Sequence, residues 1–121
     1  MNEELKKRIV EWLRHTPSVR GALVRSIRFA DETFVSDSTS PDFPAGALEQ
    51  AWRSVTDTFQ VLAAQRLSAT RLTWVYERAI LHCARREDGA IFGVFVSRRE
   101  ANADEVGLNR LMSEFLGFAG K

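Results

Sequence analysis

The chain has a single cysteine, Cys83, in 121 residues. No disulfide can form within it, so its core must hold by packing alone. A lone thiol fits a reducing compartment. Long apolar runs are also missing. No stretch approaches the roughly 20 residues needed to cross a bilayer. The N-terminal Met-Asn-Glu-Glu-Leu-Lys-Lys has no apolar segment of signal-peptide length behind it. The expectation is a cytoplasmic protein with no membrane span. Neither sign of charge is in excess: 17 Lys+Arg against 16 Asp+Glu leave +1. The balance therefore argues neither for nor against an anionic partner.

Residues that carry catalysis are sparse too. The only histidines are His15 and His82. There is no GxxxxGK[ST] phosphate loop, so the chain is not itself a P-loop nucleotide hydrolase, and there is no GxGxxG, HExxH or paired CxxC. His82 and Cys83 are neighbours on an expected strand, which sends their side chains to opposite faces and rules out a direct base–nucleophile dyad. No two of His15, His82 and Cys83 fall at metal-ligand spacing on one helix face or turn. Glu49 and Asp57 are expected on the solvated side of a helix. The reading is a non-enzyme with no catalytic residues, no cofactor and no metal.

What is present is an ordinary globular composition, 45% hydrophobic and 27% charged, of a length that suits one domain over residues 1–121. Residues 3 to 15 predict a helix, with Leu5, Ile9, Trp12 and Leu13 on one stripe and Glu3 and Glu4 at its positive end. Pro17 stops it. Val19 to Ile27 reads as a strand, and about Glu32 to Ser36 as a second, joined through Ala30-Asp31. Asp37 to Asp42 is a loop by composition.

From Pro44 to about Arg66 runs a long helix whose Leu48, Ala51, Trp52, Val55, Phe59 and Leu62 repeat at three and four. Arg71 to Tyr76 and Ala79 to Arg86 read as strands around a tight turn at Glu77-Arg78. Asp88-Gly89 is a two-residue hairpin signal before a strand at Ile91 to Val96. Asn102, with Glu105, is expected to cap a last helix bearing Val106, Met112, Phe115 and Leu116.

Two of these strands lack the alternation of a half-wet sheet. Ile91-Phe92-Gly93-Val94-Phe95-Val96 and Leu72-Thr73-Trp74-Val75-Tyr76 offer apolar groups to both sides, so both sheet faces need cover. The long helix supplies one layer and the two terminal helices the other. The predicted fold class is α/β (α+β): a three-layer α/β/α sandwich on a five-stranded antiparallel sheet.

Arginine dominates the basic residues. Arg71, Arg78, Arg85, Arg86, Arg98 and Arg99 collect around the strand ends, as a solvated rim or as a patch for an anionic partner. Trp74 and Tyr76 share a strand face of the kind that stacks single-stranded nucleic acid. The long helix needs that face for burial, so nucleic acid is not expected as a partner.

The order helix-strand-strand-helix-strand-strand-strand-helix, with several local strings, resembles the roadblock family of dynein light chains and small-GTPase regulators. Pro17-Ser18-Val19-Arg20-Gly21-Ala22-Leu23-Val24 resembles the family's entry into its first strand. The long helix followed by Leu72-Thr73-Trp74-Val75-Tyr76 is similar to its centre, and the hairpin from Ile80 to Val96 to its second half. The final helix is found in bacterial and archaeal members. One departure is the first hairpin turn, Phe29-Ala30-Asp31-Glu32, which lacks the family's frequent glycine.

The resemblance implies a dimer in which the long helix and the strand after it pair with their counterparts. It also implies docking on Ras-like GTPases, as a regulator or a scaffold. In that strand order Arg71 to Tyr76 lies at a sheet edge. The edge carries no Pro, Lys or bulge to block pairing, a hazard that a homodimer removes. The expected interface is Trp52, Val55, Phe59, Leu72, Thr73, Trp74, Val75 and Tyr76, although some of the helix residues must instead pack in the core, so only a subset of them is expected there. The alternatives are a small-molecule sensor of profilin, PAS or GAF type, and an adaptor dimer of secretion-chaperone type.

Overall fold

A computed structural model describes residues 3–17, 19–31, 33–36, 45–67, 69–98 and 104–118. Among these the chain forms α1 (Glu3–His15), β1 (Ala22–Arg28), β2 (Phe34–Ser36), α2 (Ala45–Ala64), β3 (Arg71–Val75), β4 (Ala79–Arg85), β5 (Ile91–Ser97) and α3 (Glu105–Leu116). The order is the expected one. The strands make one antiparallel sheet in the spatial order β2-β1-β5-β4-β3. β5 is central, and all six residues from Ile91 to Val96 are buried, as their two-sided apolarity requires.

Alternation along the strands, interrupted in β1 by a register shift between Ala22 and Val24, feeds two cores. On one face Leu5, Ile9 and Leu13 of α1 and Leu108, Leu111, Met112 and Phe115 of α3 pack on Ile27, Ala84, Phe92, Val94 and Val96. Trp12 joins the two helices, with its ring against Phe92 and Phe115 and its indole N–H donating to Glu114 at 3.1 Å. On the other face Trp52, Val55 and Phe59 of α2 cover Val24, Leu81, Cys83, Ile91 and Phe95. Gly93 makes this seating possible: a Cβ there would stand 2.8 Å from the Trp52 ring.

The turns follow local chemistry. Gly21 enters β1 with φ of 88°. The glycine-free turn after β1 closes through Asp31, whose carboxylate accepts the Thr33 N–H at 3.0 Å, and through Phe29 N–H donating to Thr33 C=O. The β4–β5 hairpin has three loop residues rather than two. Arg86 N–H donates to Ala90 C=O, Gly89 N–H donates to Arg86 C=O, and Gly89 sits at φ of 92°. This is a type I turn followed by a left-handed residue. α2 ends on Arg66 at φ of 60°. Leu67 N–H donates back to Leu62 C=O and Arg66 N–H to Ala63 C=O, the bond pattern of a Schellman cap without its usual glycine.

Several expectations shift. β1 begins at Ala22, because Val19 to Gly21 turns first. β2 begins at Phe34; Glu32 lies outside the described residues, as do Pro44 and Asn102. The cap of α3 is Asp104, whose carboxylate accepts the Gly107 N–H at 2.9 Å. Val106 falls off the helix's apolar stripe and is 71% exposed. The arginine rim is not wholly solvated either. Arg86 is buried: its guanidinium donates to the carbonyls of Phe115 and Phe118 at 2.6 Å each and pairs with Asp88. Arg99 lies outside the described residues.

Candidate functional site: the β3 edge of the sheet

β3 is held on one side only. It pairs with β4 from Arg71↔Ala84 to Val75↔Ile80, and among the described residues it is an edge of the sheet. Its two faces differ. Leu72 and Trp74 point to the α2 core and are half-buried, with the Trp74 ring 6.5 Å from that of Phe59. Arg71, Thr73 and Val75 point to the opposite face and are exposed. The expectation of cover on both faces is therefore corrected for this strand. α3 packs over β4 and touches β3 through Asn109, which accepts from Arg71 at 2.9 Å. Val75 stays 65% exposed.

The hydrogen-bond phase of the edge follows from its two ends. Arg85 N–H donates to Thr70 C=O, and Tyr76 N–H to Ala79 C=O. Antiparallel partners alternate between bonded and non-bonded pairs. Thr70, Leu72, Trp74 and Tyr76 therefore turn their backbone groups toward β4, while Arg71, Thr73 and Val75 turn theirs outward. Neither Pro nor Lys nor a bulge interrupts this row.

Of the residues expected at an interface, Trp52, Val55 and Phe59 are buried against the chain's own sheet. Within the single chain they pack in the core, the alternative their spacing also allows. Leu72, Thr73, Trp74, Val75 and Tyr76 lie together along the edge. Sequence periodicity did not single out Val61 and Leu67, exposed apolar residues at the C-terminal end of α2; their signal is simply apolar side chains off the helix stripe.

The other candidates for chemistry are dispersed. His82 and Cys83 occupy opposite faces, His82 beside the first turn of α3 and Cys83 in the α2 core. Burial holds the Cys83 thiol far above its usual range, which makes it inert as a nucleophile. Burial first, then the positive charge of Arg71, holds the His82 imidazole below its usual range, against an opposing pull from Glu105. Glu49 and Asp57 are exposed on α2. No cluster of three metal-ligating side chains occurs among the described residues. No described helix is long and apolar enough to cross a membrane.

His82 lines a cleft of about 220 Å³ with Ile80, Val96, Arg98, Glu105 and Leu108. That is below the roughly 300–1,000 Å³ of drug-sized ligand sites. One wall is already committed, since Arg98 donates to the Tyr76 carbonyl at 2.9 Å.

No family model matches the sequence, and no curated protein matches it. Solved structures do. Myxococcus xanthus MglB aligns over 100% of this chain and 96% of its own, with a TM-score of 0.66 at 12% identity. A second structure, described as MglB with a tetrameric arrangement, aligns over 98% and 93% with a TM-score of 0.64 at 16% identity. A Roadblock/LC7 domain from Streptomyces avermitilis aligns over 95% and 91% with a TM-score of 0.57 at 15% identity. The chain has the roadblock fold over nearly its whole length.

Proposed function

We propose that residues 1–121 form one non-enzymatic, cytoplasmic module that pairs with a second copy of itself and regulates or scaffolds a Ras-like small GTPase. The observation that carries this reading is the open β3 edge, in a chain that takes the roadblock fold over nearly its whole length. A flat edge with outward donors and acceptors and exposed apolar side chains is an aggregation hazard in a lone chain. A specific, closed two-fold pairing removes it. Val75, Tyr76, Val61 and Leu67 are the large apolar side chains exposed on β3, just after it and at the end of α2. Trp52, Val55 and Phe59 contribute from within, by seating α2 over the sheet beside that edge.

The GTPase partner rests on the family resemblance of the sequence. The supporting result is light scattering at micromolar concentration giving twice the chain mass, together with a Ras-like GTPase among the proteins captured by the intact chain from its host. A monomer at that concentration would sink the pairing. Capture of other proteins without any GTPase would sink the choice of partner.

A further inference from the structure

Resting on the self-pairing proposed above, we infer that the two copies meet in one register, with Thr73 on the two-fold axis. The phase of the edge selects it. Arg71, Thr73 and Val75 turn their N–H and C=O groups outward. A two-fold antiparallel pairing that uses all three sets Thr73 opposite Thr73 of the second copy and Arg71 opposite its Val75. That arrangement makes about six hydrogen bonds between the chains. Sliding by two residues in either direction leaves one outward residue of each strand unpaired, and about four bonds. Sliding by four residues leaves one bonded pair and about two bonds, with Arg71 against Arg71 in one direction, like charges face to face, and Val75 against Val75 in the other. A slip of one residue mismatches the bonding phase altogether.

The side chains agree with this choice. On the α2 face the register places Leu72 opposite Trp74 of the second copy. That is a non-bonded pair, in which side chains approach most closely, at a Cα separation of about 4.5 Å. Both residues are only half-buried in the single chain, so each has apolar surface left to cover. On the other face no two like charges meet.

Cysteine cross-linking decides it. Thr73 is exposed, so Thr73→Cys is compatible with the fold. Across a bonded pair the two Cα atoms would lie about 5.5 Å apart, within disulfide range. Val75→Cys, four residues from its own copy's position at about 3.4 Å per residue, would lie about 14 Å from its counterpart. The native Cys83 is buried, and the unsubstituted chain controls for it. Under mild oxidation Thr73→Cys is expected to run almost wholly as a covalent dimer, and Val75→Cys as a monomer on a denaturing gel. A dimeric Thr73→Cys protein that fails to cross-link, or a Val75→Cys protein that does, overturns the register and leaves the pairing intact. A Thr73→Cys protein that is monomeric by light scattering overturns both.

Discussion

Arg25 and Arg86 carry their charges into the α1/α3 side of the sheet, where each meets the carbonyl end of a helix. Arg25 donates to the carbonyls of Leu13 in the last turn of α1 and of Thr16 and Pro17 just beyond it. Arg86 does the same at the end of α3 and stacks over Phe115. Neither role is legible in the sequence: Arg86 sits in a polar turn string, and its acceptors lie 29 and 32 residues further on. Arg86→Ala takes the guanidinium away from the Phe115 and Phe118 carbonyls and from Asp88, and is expected to cost about 3 kcal/mol in urea unfolding. Arg86→Lys recovers only part of that, because a point charge cannot serve all three acceptors at once. His82 gives a pH signature. Its imidazole is held below the usual value in the folded chain, so above about pH 6.5 it is neutral whether the chain is folded or not. As pH falls below that value the unfolded chain takes up the proton first, and stability declines until the folded value is passed. Urea midpoints measured from pH 7.5 downward should show this slope, and His82→Gln should flatten it.

At the scale of elements the sequence was read well where periodicity is strong. All eight elements were expected in order, and the two-sided apolarity of Ile91 to Val96 correctly marked the central strand. At Leu72 to Tyr76 two-sided apolarity does not mean cover on both faces. An apolar residue such as Val75 looks alike whether a helix covers it or a sheet edge leaves it bare, and only the seating of α3 over β4 decides. Helix ends were also illegible in part. Nothing in Ala64-Gln65-Arg66-Leu67 marks a left-handed residue, because the glycine that would signal it is absent. Arg66 adopts that conformation at the ordinary cost for a side-chain-bearing residue. Arg66→Gly is therefore expected to raise stability by about 1 kcal/mol, seen as a higher midpoint in thermal unfolding.

For the whole molecule the open edge is the feature to test. The Val75 N–H points away from β4, so Val75→Pro removes an outward donor without breaking the chain's own ladder. The expected outcome is a halved mass by light scattering with an unchanged far-ultraviolet spectrum. Trp74→Pro, whose N–H points inward, should instead disturb the fold. The edge position of β3 came from resemblance and was found in the sheet order, whereas the phase of its hydrogen bonds needed coordinates. The paired arginine grips have a mechanical consequence. α1 and α3 are fastened by directional bonds at fixed points. Among the described residues the bonds made by the polar side chains of α2 run within the helix, and the buried Trp52 N–H meets no acceptor. One side of the sheet is pinned at two points by directional bonds and the other is held by shape alone, Trp52 against Gly93, so α2 is the layer that a single added methyl group at Gly93 would unseat.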